Sequence, residues 1–256
     1  MEKEKITWLD YIQINDDLDR LIRKLQEAKA KWDILGAKDS KYSESGKSCA
    51  RELARIQNRS HTQCHMLKNS LDSMLDQKIG VIEVYYWFFK NTIDPFLDSI
   101  NVFEHQLNIL IESNEDLRNL LKERIDKKIN LMAPWIPTGK KEKNFKTSLI
   151  NQYQRKIYET QFIRDTLYKY KIISVEDRCF LEFCWDVRNS IHHNFRSLKD
   201  INYPFKTPDG TICEFTFYKG RHIKHPDANS IYFYLVSERI SHLAVEIIEH
   251  FENNKS

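Results

Sequence analysis

Cys184-Trp185-Asp186-Val187-Arg188-Asn189-Ser190-Ile191-His192-His193-Asn194-Phe195 puts an arginine, two asparagines and two histidines within seven residues, among apolar residues that recur at helical spacing. Arg188 and His192 are four apart, and so are Asn189 and His193. Side chains at that separation are neighbours on a helix, so the four form one polar patch across adjacent rows, with Trp185 and Ile191 left to face a core. A guanidinium beside an imidazole, which exchanges a proton near neutral pH, is what an enzyme needs to handle a phosphodiester. The plain alternative is a solvated helix face carrying a pair of histidines.

Outward from this stretch, Ser174 before Val175-Glu176-Asp177 is a helix start with acids in its first turn. The motif helix is therefore expected from about Val175 to Leu198. A helix from about Thr147 to Lys171 precedes it, with Ile150, Tyr153, Ile157, Phe162, Leu167 and Tyr170 on one stripe. Behind the motif the periodicity changes to two: Ile212, Glu214, Phe215, Thr216, Phe217 and Tyr218 alternate, and Asp209-Gly210 is a hairpin signal. A β-hairpin insertion over 203–235 is expected, with a further strand pairing at Ile231 to Leu235. A final helix over Ser237 to Phe251 carries Ile240, Leu243, Ala244, Ile247, Ile248 and Phe251 as its apolar stripe.

The N-terminal half reads as helices. Leu9, Ile12, Leu18, Leu21, Ile22, Leu25, Ala28, Trp32 and Leu35 predict a helix from Thr7 to Leu35, with a capping box at Thr7 and Asp10 and Gly36 as terminator. Lys38 to Lys47 reads as a loop. A second helix is expected from Ser48 to about Asp76, where Arg51, Arg55 and Arg59 recur every four residues, followed by His61 and His65. That row is either a solvated face or a stripe contacting RNA phosphates. Lys78 to Ile111 is the most apolar segment and reads as a central helix that Pro95 interrupts near Asp94. Ser113 or Asn114 is positioned to cap a continuation through Ile125. Ala133 to Phe145, with Lys140, Lys141 and Lys143 and the adjacent Lys146, reads as an exposed loop.

Composition agrees. The chain has 256 residues, only 6 Gly and 6 Pro, a 12% aromatic content and a net charge of +3. Such a chain buries a real core, favours long helices and is not a strongly basic nucleic-acid binder overall. The expected fold class is mainly α, a helical bundle with a small β-hairpin before the C-terminal helix, as a single domain over 1–256. Five cysteines without a Cys-x-x-Cys pair argue against a disulfide framework or zinc site. No long apolar segment or signal peptide is evident, so a cytoplasmic protein with no membrane partner is expected. Adjacent histidines point in different directions on a helix and no acidic or cysteine ligand stands at a supporting spacing. No metal and no cofactor are expected.

Arg188-Asn189-Ser190-Ile191-His192-His193 resembles the Arg-x(4–6)-His signature of the HEPN superfamily, whose usual form has a polar residue, often Asn, directly after the arginine. The resemblance covers these six residues and an all-α context. The loose expression also fits Arg55…His61 and Arg59…His65. It implies a compact helical bundle with the motif on a late helix, and a metal-independent endoribonuclease acting on an RNA substrate. It also implies a homodimer through the motif helix, and a toxin–antitoxin or antiviral-defence setting with an antitoxin or defence-system partner protein. Arg188 would bind phosphate oxygens, His193 would be the acid or base, Asn189 would orient the phosphate or the imidazole, and His192 is a second candidate proton donor. Asp186 would orient a histidine across a dimer. The long third segment and the hairpin depart from the minimal pattern of the superfamily. The alternative is a catalytically silent helical bundle that binds RNA or a protein partner.

Overall fold

A computed structural model describes residues 8–37, 41–77, 79–132, 147–148, 151, 159–207, 210–221, 223 and 232–253. Among these residues run α1 (Trp8–Leu35), α2 (Glu44–Asp76), α3 (Val81–Ser113), α4 (Glu115–Met132), α5 (Thr160–Lys169), α6 (Val175–His192), β1 (Ile201–Lys206), β2 (Ile212–Phe217) and α7 (Phe233–Asn253). The fold is mainly helical with a two-stranded antiparallel hairpin before the last helix, as the sequence predicts. The chain groups into two compact units, Met1–Phe103 with Phe183–Val245, and Glu104–Glu182 with Glu246–Ser256.

In the first unit α1 and α2 pack together through the apolar rows expected of them: Leu18, Leu21, Leu25 and Trp32 on α1 and Leu53, Cys64, Leu67 and Leu71 on α2 are buried. Ile12, read as part of the α1 row, is instead 41% exposed, because the buried register enters through Ile14. At the margins of the pair, Tyr11 donates to Asp72 at 2.6 Å and Lys68 pairs with Asp19. The α2 helix begins at Glu44, inside the stretch expected to be a loop, because the Ser43 hydroxyl accepts the Gly46 N–H at 3.0 Å and caps it.

Pro95 does not interrupt α3, which is continuous from Val81 to Ser113. Proline inside a helix costs about 3 kcal/mol. That cost is offset here by burial of Ile93, Phe96, Ile100 and Phe103 on both sides of it. The neighbouring Ser99 hydroxyl donates to the Pro95 carbonyl at 2.9 Å.

The hairpin pairs Ile201 with Phe217 at its base and Lys206 with Ile212 at its tip. Gly210 adopts φ 87°, and its N–H bonds to the Thr207 carbonyl at 2.9 Å, which gives the expected glycine its reason. Ile201, Phe205, Cys213, Phe215 and Phe217 are buried on one face. Phe215 lies at the centre, 5.2 Å from Phe183 and 5.0 Å from Phe233 between ring centroids, and Phe183 stacks on Tyr203 at 4.5 Å. The further strand pairing read at Ile231 to Leu235 is replaced by helix over the described Phe233 to Leu235. Phe233 opens α7 and packs on Phe96 with centroids 5.0 Å apart, so aromatic packing on α3 claims this stretch for the helix.

In the second unit, Asn114 caps α4 by accepting the Leu117 N–H at 2.9 Å. Ser174 and Asp177 form a reciprocal capping box at the start of α6, with bonds of 3.0 and 3.2 Å. Asp165 receives Arg178 at 3.2 Å and Arg124 at 3.9 Å. The lysine-bearing segment 133–146 and much of the helix read from Thr147 lie outside the described residues, as does Thr7. No helix among the described residues is long and apolar enough to cross a membrane.

Candidate functional site

The motif lies on the last turn of α6 and just beyond it. Phe183, Cys184, Trp185, Val187 and Ser190 are buried, which fixes the rotation of the helix. Arg188 is then half-buried with its Nε away from solvent, while Asn189, His192 and His193 are exposed. Ser190 belongs to the inner face, its hydroxyl donating to the Asp186 carbonyl at 2.8 Å.

The helix does not continue to Leu198 but stops at His192. Asn194 and Phe195 take φ of 56° and 59°, which a right-handed helix cannot accommodate, and the Arg196 N–H donates to the His193 carbonyl at 3.1 Å. Two positive φ values at the centre of an i to i+3 bond describe a tight turn of the I′ kind. His193 keeps the helical bond, its N–H donating to the Asn189 carbonyl at 3.0 Å, so the Asn189–His193 relation read from spacing survives the helix end.

A left-handed non-glycine residue costs about 1–2 kcal/mol, and phenylalanine has no polar side chain to offset it. The Phe195 carbonyl is instead held by the Ile223 N–H at 2.8 Å. The Ser197 N–H bonds to the Arg221 carbonyl at 3.0 Å, and the Gly220 N–H bonds to the Ser197 carbonyl at 2.8 Å. The segment behind the hairpin thus grips the segment behind the histidines and holds the turn in a conformation it would not choose alone. Strain of this kind gathers at functional sites.

That grip includes a second turn missed in the sequence. The Arg221 N–H donates to the Tyr218 carbonyl at 2.9 Å, with Gly220 at φ 74° in the third position, as a type II turn requires. Lys219-Gly220 after an alternating strand was the available signal. A Cβ at Gly220 would meet nothing within 4 Å, so only backbone strain opposes it. Gly220→Ala is expected to lower stability by about 1 kcal/mol in urea melts followed by circular dichroism; an unchanged midpoint would contradict the turn.

Asp186 is engaged by Lys199 at 2.8 Å. Of the arginine row, Arg51, Arg55 and Arg59 are all exposed on α2; Arg59 pairs with Asp98 of α3 and Arg51 approaches Glu44 at 4.0 Å. The row's ion-pair partners are thus Glu44 and Asp98. His61 and His65 meet edge to face with Nε2 atoms 3.1 Å apart; partial burial, then the charges of His65 and Lys29, lower the His61 pKa.

Burial pushes the Cys49 and Cys64 thiols up to about 12 and raises that of Cys184 on the motif helix, so none of these three is a ready thiolate. Among the described residues, no three His, Cys, Asp or Glu side chains gather to hold a metal ion. Compared with models of protein families, with curated proteins and with solved structures, the chain matches none.

Proposed function

We propose that this chain is a HEPN-type endoribonuclease that cleaves RNA by attack of its own 2′-hydroxyl, with no metal in the step, and works as a homodimer through α6. The observation that carries the reading is a half-buried guanidinium beside exposed Asn189, His192 and His193, at a helix end held by a strained turn. Arg188 presents a planar fork that fits two phosphate oxygens as charge builds on phosphorus. One imidazole takes the proton from the 2′-hydroxyl as the O2′–P bond forms. A second group gives a proton to the departing 5′-oxygen as the P–O5′ bond breaks. The products are a 2′,3′-cyclic phosphate and a 5′-hydroxyl.

His193, which shares the Asn189 row, is assigned the first role, and His192 or a histidine of the second subunit the other. Two such sets facing each other across a dimer would supply both proton carriers, which is the reason for proposing that assembly. The test uses purified protein and mixed single-stranded and structured RNA in EDTA, with light scattering alongside. Cyclic-phosphate ends and a dimer at micromolar concentration are the expected outcome. RNA that is bound and never cut would favour a silent RNA-binding bundle, and a monomer would remove the dimer from the mechanism.

A further inference from the structure

The turn that ends the motif helix and the turn behind the hairpin are bonded to each other, and together they gather charge. A β-turn brings the Cα atoms at its ends within about 7 Å, so Arg196 stands beside His193 and Arg221 beside Tyr218. The Arg196 Nη1 donates to the Gly220 carbonyl at 3.4 Å and the Ser197 N–H to the Arg221 carbonyl at 3.0 Å, which join the two turns. Arg196, Lys219 and Arg221 are exposed, and among the described residues no carboxylate pairs with them. The adjoining acid, Asp200, accepts the backbone N–H of Lys219 at 2.7 Å. Tyr218 is 63% exposed at the head of the same turn, although the neighbouring Phe217 is buried.

We propose that these two turns form a docking platform for unpaired RNA, with Arg196, Lys219 and Arg221 on successive phosphates and a base stacked on Tyr218, leading the strand to His193. Guanidinium and ammonium groups with an exposed ring among them suit a single strand, because every base offers a face for stacking and the backbone supplies the charge. A duplex keeps its bases stacked on one another and leaves Tyr218 without a partner. An acidic protein segment would use the cations and not need the ring, which is why RNA is the favoured occupant. The platform rests on the nuclease reading only for the direction in which the strand runs.

Binding is measured by fluorescence anisotropy in EDTA, with a labelled unstructured RNA against its duplex form, on the His193→Ala chain so that cleavage does not compete. The platform predicts tighter binding of the single strand. Tyr218→Ala should weaken it roughly five- to hundredfold, while Tyr218→Phe retains it. Arg196→Ala/Lys219→Ala/Arg221→Ala should reduce the slope of log affinity against log salt by about 2, from about 0.7 per phosphate lost. Lys219→Glu/Arg221→Glu, which spares the Arg196 bond to Gly220, should weaken binding in the same direction if the triple variant unfolds. Parental affinity in both the Tyr218→Ala and charge variants, equal binding of duplex, or no RNA binding at all would overturn the platform. Parental chain that cuts RNA while the variants bind unchanged would sink the platform alone; chain that binds through the platform and never cuts would sink the nuclease reading alone.

Discussion

His193→Ala is expected to slow RNA cleavage on the order of a hundredfold to ten-thousandfold, the usual cost of losing one positioned acid–base group. The fold should be unaffected, because the imidazole is exposed and the backbone bond from its N–H to Asn189 does not depend on the side chain. Arg188→Ala should be as damaging to the rate, but Arg188 is half-buried, so Arg188→Lys is the more telling change. It keeps the stem and the charge and loses the two-pronged contact with phosphate. His192→Ala should cost less than His193→Ala, and the reverse order would exchange the roles of the two histidines. These rates are read on a fixed RNA in EDTA, with circular dichroism as the folding control. A His193→Ala chain as active as its parent would remove the motif from the chemistry.

Phe215→Ala is expected to destabilise the chain by about 3–5 kcal/mol, as removal of a buried phenylalanine does when the space cannot close. Phe215 is 1% exposed, and its ring lies within reach of Phe183, Phe205, Phe217 and Phe233. It therefore joins α6, both strands and α7 in one aromatic cluster, and collapse around its loss would require all of them to move. Ile212→Ala, on the exposed face of the same strand at 62% exposure, should change stability little and serves as the control. Urea midpoints compare the two; similar midpoints would show that the hairpin is not held through this ring.

The parts that local chemistry decides were legible in the sequence. Ser174 before Val175-Glu176-Asp177 announces the start of α6, Ser113 or Asn114 that of α4, and the alternation from Ile212 to Phe217 gives the hairpin its buried face. What failed to show was decided by packing at long range. Pro95 reads as a break until the burial of Ile93 and Phe96 around it is known, and Leu235 reads as strand until Phe233 is seen against Phe96. Within the site, Trp185, read as facing the core, is buried, and Asn189, His192 and His193 of the polar patch are exposed, whereas Ile191, also read as facing the core, is only half-buried. The end of the motif helix was not readable, because nothing about Asn194-Phe195 forces positive φ. Ile223, whose N–H holds the Phe195 carbonyl, lies behind the hairpin and more than twenty positions further along the chain.

In the proposed reaction a 2′-hydroxyl of the RNA is the nucleophile, with Arg188 and His193 serving it. The direct measurement maps one cleavage position on an RNA oligonucleotide and then replaces the ribose there with 2′-deoxyribose. Cutting at that linkage is expected to stop while flanking positions are cut as before, because no O2′–P bond can form. Cleavage at the deoxy linkage at the parental rate, leaving no cyclic phosphate, would contradict the proposed reaction.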